Sequence, residues 1–267
     1  MREKAHPHFG GRQMDVSERR RGIVELAVRE GYVEANRLAH ELGVNISTVR
    51  RDLDVLASDG LLRRTHGGAR PTAGLAVDVP YAQKVRERST EKAAIGLRAA
   101  EDVRDGDTVM LDSGSTTYQV AVALRQKCLT VITNDLRIAK FVSTDPAARL
   151  LVTGGELLGS VFTLVGHHTT SFLESYAADW AFLGADAVDV RAGITNTNTF
   201  EVPIKRAMLA AAHKTVVVTD STKFGLTALA RVATLGEVDE IVTDGGLDAE
   251  VAETFGSQIV YARVGEA

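Results

Sequence analysis

Apolar positions between Leu38 and Leu56 recur at helical spacing and mark two short amphipathic segments joined by Gly43-Val44-Asn45. Leu38, Ala39 and Leu42 share one face of the first segment. Ile46, Val49, Leu53 and Leu56 fall at i, i+3, i+7 and i+10 of the second, a single stripe on a helix of period 3.6. That stripe is the side to be buried. At about 100° per residue, Ser47, Arg51, Asp54 and Ser58 then face outward, with Thr48 and Val55 beside them and Arg50 and Asp52 on the flanks. An earlier helix is predicted from an N-cap at Ser17 to about Glu30, with Ile23, Val24, Leu26 and Ala27 on its core side. Leu61 to Gly68 reads as a strand pair closed by a glycine turn, carrying Arg63, Arg64 and His66.

The second half has a different rhythm. A helix is predicted from Ser89 or Thr90 to Val103, with Ala93, Ala94, Leu97 and Ala100 inward. After Asp105-Gly106, β-rich runs alternate with helical ones. Strands are predicted at Thr108–Leu111, Thr130–Thr133, Leu150–Thr153, Trp180–Gly184, Thr215–Thr219 and Glu240–Thr243. Helices are predicted near Thr116–Arg125, Asp135–Val142, Thr169–Ser175 and Val202–His213. Such alternation predicts an α/β domain with a mostly parallel sheet. The proline-bracketed run Pro71–Pro80 reads as a linker. The predicted organisation is a disordered N-terminal extension (1–14), a small head (15–70), a linker (71–88) and an α/β body (89–267).

Composition narrows the classes. No apolar run in the 267 residues approaches the roughly 20 that a membrane span needs, and no leader precedes a cleavage site. The single Cys128 excludes an intramolecular disulfide framework. Both point to a cytoplasmic location. Residues 1–70 hold thirteen Lys and Arg against ten Asp and Glu, and the remainder eighteen against twenty-five. A mildly basic head on an acidic body fits a sequence-specific binder better than a general nucleic-acid coat.

A short second helix after a glycine turn, with small hydroxyls and arginines outward, is shaped for the DNA major groove. Ser47, Thr48 and Arg51 are the candidates for base edges. Arg50, Arg63, Arg64 and His66 are the candidates for phosphates or the minor groove. A helical hairpin with a solvated charged face is the bland alternative, but turn, helix and basic wing follow one another in order.

A second candidate site lies at strand ends. Asp112-Ser113-Gly114-Ser115-Thr116-Thr117 follows a predicted strand and opens a helix, where backbone N–H groups and hydroxyls can cradle a phosphate. The spacing and lysine of a Walker motif are absent, so no nucleotide is predicted. Asn134, Gly154 and Lys223 close other strands, and Glu201 and Lys205 open a helix. Glu201 and Lys205 are also spaced for an ordinary i,i+4 ion pair. Neither His167-His168 nor His6-Pro7-His8 has the ligand set of a metal site.

The stretch Arg37–Ala69, above all TVRRDL and RTHGGA, resembles the winged helix-turn-helix of the DeoR family of bacterial transcriptional regulators. Further motifs, LDSGSTT, VITN, TGGEL, KRAM and DSTKFG, resemble that family's effector domain. The effector domain is in turn similar to sugar-phosphate isomerases such as ribose-5-phosphate isomerase. The resemblance implies a repressor of carbohydrate genes that senses a phosphorylated sugar or related metabolite. It implies a double-stranded operator and self-association as homodimer or homotetramer, with no cofactor. Ser113–Thr117 would hold the phosphate. Leu183-Gly184-Ala185-Asp186 is similar to the isomerases' Asp-Gly-Ala-Asp, and Glu201 falls near their base. Leu183 stands where those enzymes have a carboxylate, so Asp186 and Glu201 are expected to bind ligand hydroxyls with no catalytic residue. An active isomerase or deaminase with an accessory DNA head is the alternative.

Overall fold

The computed structural model describes residues 15–30, 32–58, 61–71, 81–158 and 161–263. The chain divides into two compact units, Met1–Val77 and Asp78–Ala267. The expected N-terminal extension, 1–14, lies outside the described residues, as does 72–80 of the expected linker.

In the first unit α1 (Val16–Glu30), β1 (Val33–Glu34), α2 (Ala35–Leu42) and α3 (Ile46–Ser58) precede β2 (Leu62–Thr65) and β3 (Gly68–Pro71). The strands form one antiparallel sheet in the order β1-β3-β2. Helix α1 starts at Val16, whose amide donates to Asp15 Oδ1 at 2.7 Å, two residues ahead of the start expected from an N-cap at Ser17. Gly43 ends α2 at φ +63°, and the Val44 amide returns to the Ala39 carbonyl at 3.1 Å. A residue with a Cβ pays a steric penalty in that left-handed turn. Ile23, Ala27, Leu38, Val49, Leu53, Leu56 and Leu62 make the core.

Asp52, expected on a flank of α3, is buried. Its carboxylate accepts from Arg19 Nε at 2.6 Å and Arg20 Nε at 2.8 Å, which locks α3 to α1. Burial alone would raise this carboxyl, but the two guanidinium groups hold it below the usual range.

The second unit runs α4 (Tyr81–Arg86), α5 (Ser89–Ala100), β4 (Thr108–Leu111), α6 (Ser115–Ala123), β5 (Thr130–Thr133), α7 (Leu136–Val142), β6 (Arg149–Val152), β7 (Glu156–Leu158), β8 (Thr163–Val165) and α8 (His167–Glu174). It continues through β9 (Ala178–Gly184), β10 (Ala187–Asp189), β11 (Gly193–Asn196), α9 (Val202–Ala211), β12 (Ala212–Val218), β13 (Ala230–Ala233), β14 (Glu240–Asp244), α10 (Ala249–Glu253) and β15 (Ile259–Ala262). Seven strands form one parallel sheet, ordered β15-β14-β12-β9-β4-β5-β6. The predicted α/β class is therefore what forms. Alternate strand residues face two apolar layers: Met110, Ala181, Leu183 and Val217 pack with α8 and α9, while Val109, Leu111, Phe182 and Val216 pack with α5, α6 and α7. From β4 the chain adds strands on one side as far as β6 and then crosses to add β9 onward on the other. The crevice beyond the carboxyl ends of β4 and β9 is thus the topological switch point of the sheet.

Three expectations need correction. The span expected as linker contains Pro71 in β3 and the helix α4. Leu97, expected inward, is 51% exposed, and α5 instead buries Lys92, Ile95, Gly96, Ala99 and Ala100. The cause is Gly96: a Cβ there would sit 2.5 Å from the Gln119 backbone, so α5 turns its smallest residue to α6. The helix expected to reach His213 ends at Ala211, because Ala212 is already extended and pairs with Ala178. The hairpin β7–β8, the small sheet β10-β11-β13 and the edge strand β15 were not read from the sequence.

Asp52→Ala should destabilise the first unit by about 3 kcal/mol, since it leaves buried Arg19 without its carboxylate. The same pair contributes fully above the carboxyl's ordinary pKa of 3.8 and is lost as pH falls through the lower folded value. Urea titrations of both proteins at pH 7 and pH 3 check this, with the difference between them shrinking in acid.

Candidate functional site

Helix α3 exposes Ser47, Arg50, Arg51, Asp54 and Ser58, and Thr48 is half-buried. Asn45 caps the helix: its Oδ1 accepts from both the Ser47 amide and the Ser47 hydroxyl at 2.9 Å. The Ser47 hydroxyl proton is thus committed to the cap, and its oxygen remains to accept from a base amino group. Arg51 and Arg50 project from the following turn. In the wing, Arg63 is exposed and His66 lies in the turn between β2 and β3. Arg64 pairs with Asp54 at 2.9 Å and donates to the Gly68 carbonyl at 3.0 Å. It braces the wing against α3 as well as adding positive charge.

The second site gathers at the switch point. Asp112 follows β4 and is buried; its Oδ2 accepts from the Gly184 amide at 3.0 Å, joining the ends of β4 and β9. The Lys205 ammonium, 2% exposed, donates to that same oxygen and to the Gly184 carbonyl at 2.9 Å. Helix α9 is thereby pinned to the crevice floor. Burial by itself would lower the Lys205 ammonium, but Asp112 and Glu201 hold it above the usual lysine range.

Two more carboxylates flank it. Asp186 Oδ2 accepts from the Thr197 amide at 2.9 Å and hydroxyl at 2.6 Å, and its Oδ1 lies 3.1 Å from Lys84 Nζ. Burial would raise this carboxyl, yet the Lys84 charge and the Thr197 bonds hold it well below the ordinary range. Glu201 accepts from Asn196 Nδ2 at 2.6 Å. Burial pushes its carboxyl up to about 7, against the pull of Lys205. One carboxylate held ionised beside another that titrates near neutrality gives the crevice a hydrogen-bond acceptor and a proton-exchanging group.

The Ser113–Thr117 segment is less uniform than its sequence implies. Gly114, at φ +156°, precedes α6 and offers no side-chain cap, so the first N–H groups of that helix remain for another acceptor. Ser113 donates to Asp135 Oδ2 at 3.1 Å and contacts the Thr163 hydroxyl. Ser115 is half-buried, whereas Thr116 and Thr117 are buried. The Thr117 hydroxyl turns back to the Gly114 carbonyl at 3.0 Å, which makes it a structural tie.

The remaining candidates make contacts of their own. Asn134 is buried and donates to the Leu164 carbonyl at 3.2 Å, holding β8. The Gly154 carbonyl takes the Thr169 hydroxyl at 2.7 Å. Lys223 sits in the short 3-10 turn Ser221–Lys223, and no hydrogen bond or ion pair ties it to Asp112 or Lys205 among the described residues. Lys84, Arg88, Asn196 and Thr197 were missed as site residues. Lys84 and Arg88 lie in a stretch read as linker, and their only signal was the basic run KVRER just ahead of a helix start. No three His, Cys, Asp or Glu side chains among the described residues are grouped to hold a metal ion.

Comparison with known proteins covers both units. Residues 19–72 match the family model of the DeoR-like helix-turn-helix domain, and residues 87–245 match that of the DeoR C terminal sensor domain. The HTH-type transcriptional regulator GlpR of Haloferax volcanii is 36% identical over 242 residues, covering 90% of this chain and 94% of that protein. The glycerol-3-phosphate regulon repressor of Escherichia coli is 31% identical over 232 residues, covering 86% and 92%. Among solved structures, ribose 5-phosphate isomerase A of Methanocaldococcus jannaschii aligns at TM-score 0.37 and 18% identity, over 50% of this chain and 53% of that one. That likeness is too low to carry an argument.

Lys205→Met should cost about 3–5 kcal/mol of stability by stranding the buried Asp112 carboxylate. Glu201, raised above its ordinary 4.5, favours the folded state while protonated; this contribution is present below pH 4.5 and lost as pH rises toward about 7. Carbon-13 NMR of labelled glutamate should show one carboxyl titrating near neutrality that disappears in Glu201→Gln.

Proposed function

Because this chain belongs to the DeoR family of transcriptional regulators, we propose that it is a sequence-specific repressor of carbohydrate-metabolism genes that answers to a phosphorylated sugar or related metabolite. The observation that carries the effector half is the Lys205–Asp112–Gly184 junction, which places a cation and two flanking carboxylates where open α/β sheets bind ligands. The uncapped start of α6, with Ser113, Gly114 and Ser115, takes the phosphate. Asp186 and Glu201 accept the sugar hydroxyls.

In the head, Ser47, Thr48 and Arg51 read base edges, Ser47 through its hydroxyl oxygen as acceptor. Arg50, Arg63, Arg64 and His66 position the protein on phosphates. A homodimer or homotetramer presents two heads to half-sites about 34 Å apart or a multiple of that. The regulator works in the cytoplasm. Ligand releases DNA by binding the arrangement that does not fit the operator more tightly. The body senses and does not turn its ligand over.

A second reading has its own support: Glu201, titrating near 7 beside Lys205, has the character of a general base. Under it the protein isomerises or deaminates the sugar phosphate it binds. Incubation with aldose and ketose phosphates separates the two, with ligand-stabilised melting and no product expected for the sensor.

Mobility shifts on the promoter next to the protein's own gene, repeated with a phosphosugar panel, test the main reading; no preference among duplexes under any condition defeats it. Arg51→Ala should weaken operator binding by about 1–3 kcal/mol and relax preference at one base pair if Arg51 grips guanine. An equal loss on unrelated DNA reassigns it to phosphate.

A further inference from the structure

Helix α4 is the first described element after the division between the two units, and it is only six residues long. A helix of that length is not stable by itself. Its Val85 is 43% exposed, so apolar burial at that position contributes little. Charge contacts fasten the segment instead. Lys84 reaches Asp186 Oδ1 at 3.1 Å. The buried Lys92 ammonium gathers the Lys84 carbonyl and, at 2.8 Å, the Glu87 carbonyl, closing the end of α4. Arg88, in the left-handed region at φ +52°, donates to Asp244 Oδ2 at 2.8 Å at the end of β14. Residues 84–92 therefore lie across the ends of the strands that carry the candidate ligand groups.

Asp186 is where this segment and the ligand meet. One carboxylate oxygen is already committed to Thr197, and Lys84 covers the other. With 15% of its side chain exposed, Asp186 has little room for a second approach. A hydroxyl of the ligand gains its best acceptor only by taking the place of the Lys84 ammonium.

We infer that residues 81–92 form a strap held closed by Lys84 on Asp186, and that a polyhydroxy phosphate, unlike a bare phosphate, opens it by taking Asp186. This rests on the phosphosugar reading above and deepens it. Ligand occupancy is then converted into freedom of the segment that leads toward the DNA head. The ligand must carry a neutral hydroxyl donor as well as its anion, because the phosphate's own negative charge is repelled by the Asp186 carboxylate.

The test uses the full chain, wild type and Lys84→Met, with inorganic phosphate and with a panel of sugar and polyol phosphates that includes glycerol 3-phosphate. Calorimetry gives affinities, and hydrogen exchange follows peptides covering 81–92. In the wild type, a bound polyol phosphate should speed exchange across 81–92, while inorganic phosphate should not. Lys84→Met should exchange quickly there without ligand and should bind the polyol phosphate about fivefold or more tightly, since the competing ammonium is gone. It should show no such gain for inorganic phosphate, and Lys84→Arg should restore wild-type behaviour. If Lys84→Met binds the polyol phosphate equally or more weakly, the strap is wrong and Lys84 is an ordinary contact or a bystander. If no compound binds the wild type, the phosphosugar reading fails and the strap fails with it. A cooperative melting transition and wild-type far-ultraviolet circular dichroism of Lys84→Met, even at a lowered melting temperature, confirm that the comparison is between folded proteins.

Discussion

Two opposite charges removed from water, Lys205 and Asp112, hold the second unit's business end together. Each would be costly to bury alone, and together with the Gly184 backbone they satisfy one another. Three elements that share no neighbouring sequence, β4, β9 and α9, are fixed by this contact. The positions of Glu201 and Asp186 follow from it. Glu201 sits one turn before Lys205 on α9, and Asp186 lies two residues beyond Gly184. The sheet order places this junction where its winding reverses, so the crevice is a consequence of topology and the charge pair gives it chemistry.

The head depends on a related economy of means. Asp52 fastens α3 to α1 through two arginines, and Arg64 fastens the wing to α3 through Asp54. The outward residues of α3 are consequently presented by a frame braced on two sides, by α1 and by the wing. A reading helix held this way can discriminate between bases, because a loosely held one would lose its preference to its own motion.

How much of this was legible in the residues differed by kind of signal. The helix-turn-helix showed itself through the stripe Ile46, Val49, Leu53, Leu56 and the glycine after α2, both local features. Six of the seven main strands showed themselves as short apolar runs, most of them rich in β-branched residues, while β15 did not. Asp52 was placed on a flank because angular position describes one helix alone, and the arginines that bury it come from thirty-two and thirty-three residues earlier. Leu97 was placed inward because hydrophobicity outweighed the close approach that only Gly96 permits. In the candidate site, Asp112, Asp186, Glu201 and Lys205 were picked from strand ends and motif. Lys84 and Arg88 escaped because a short basic segment has no periodicity, and only tertiary contacts make it a helix. Asn134 and Thr117 each tie neighbouring backbone through one polar atom, a role that their polarity and position in the sequence do not reveal.

The Asp112–Lys205 contact spans ninety-three positions of the chain. During translation the reading head, whose own core is complete by Ala69, leaves the ribosome well before α9 exists to close the crevice. A polypeptide terminated in that interval would carry a finished DNA-reading surface and no means of hearing the metabolite. Only full-length synthesis therefore joins the DNA-reading surface to the crevice.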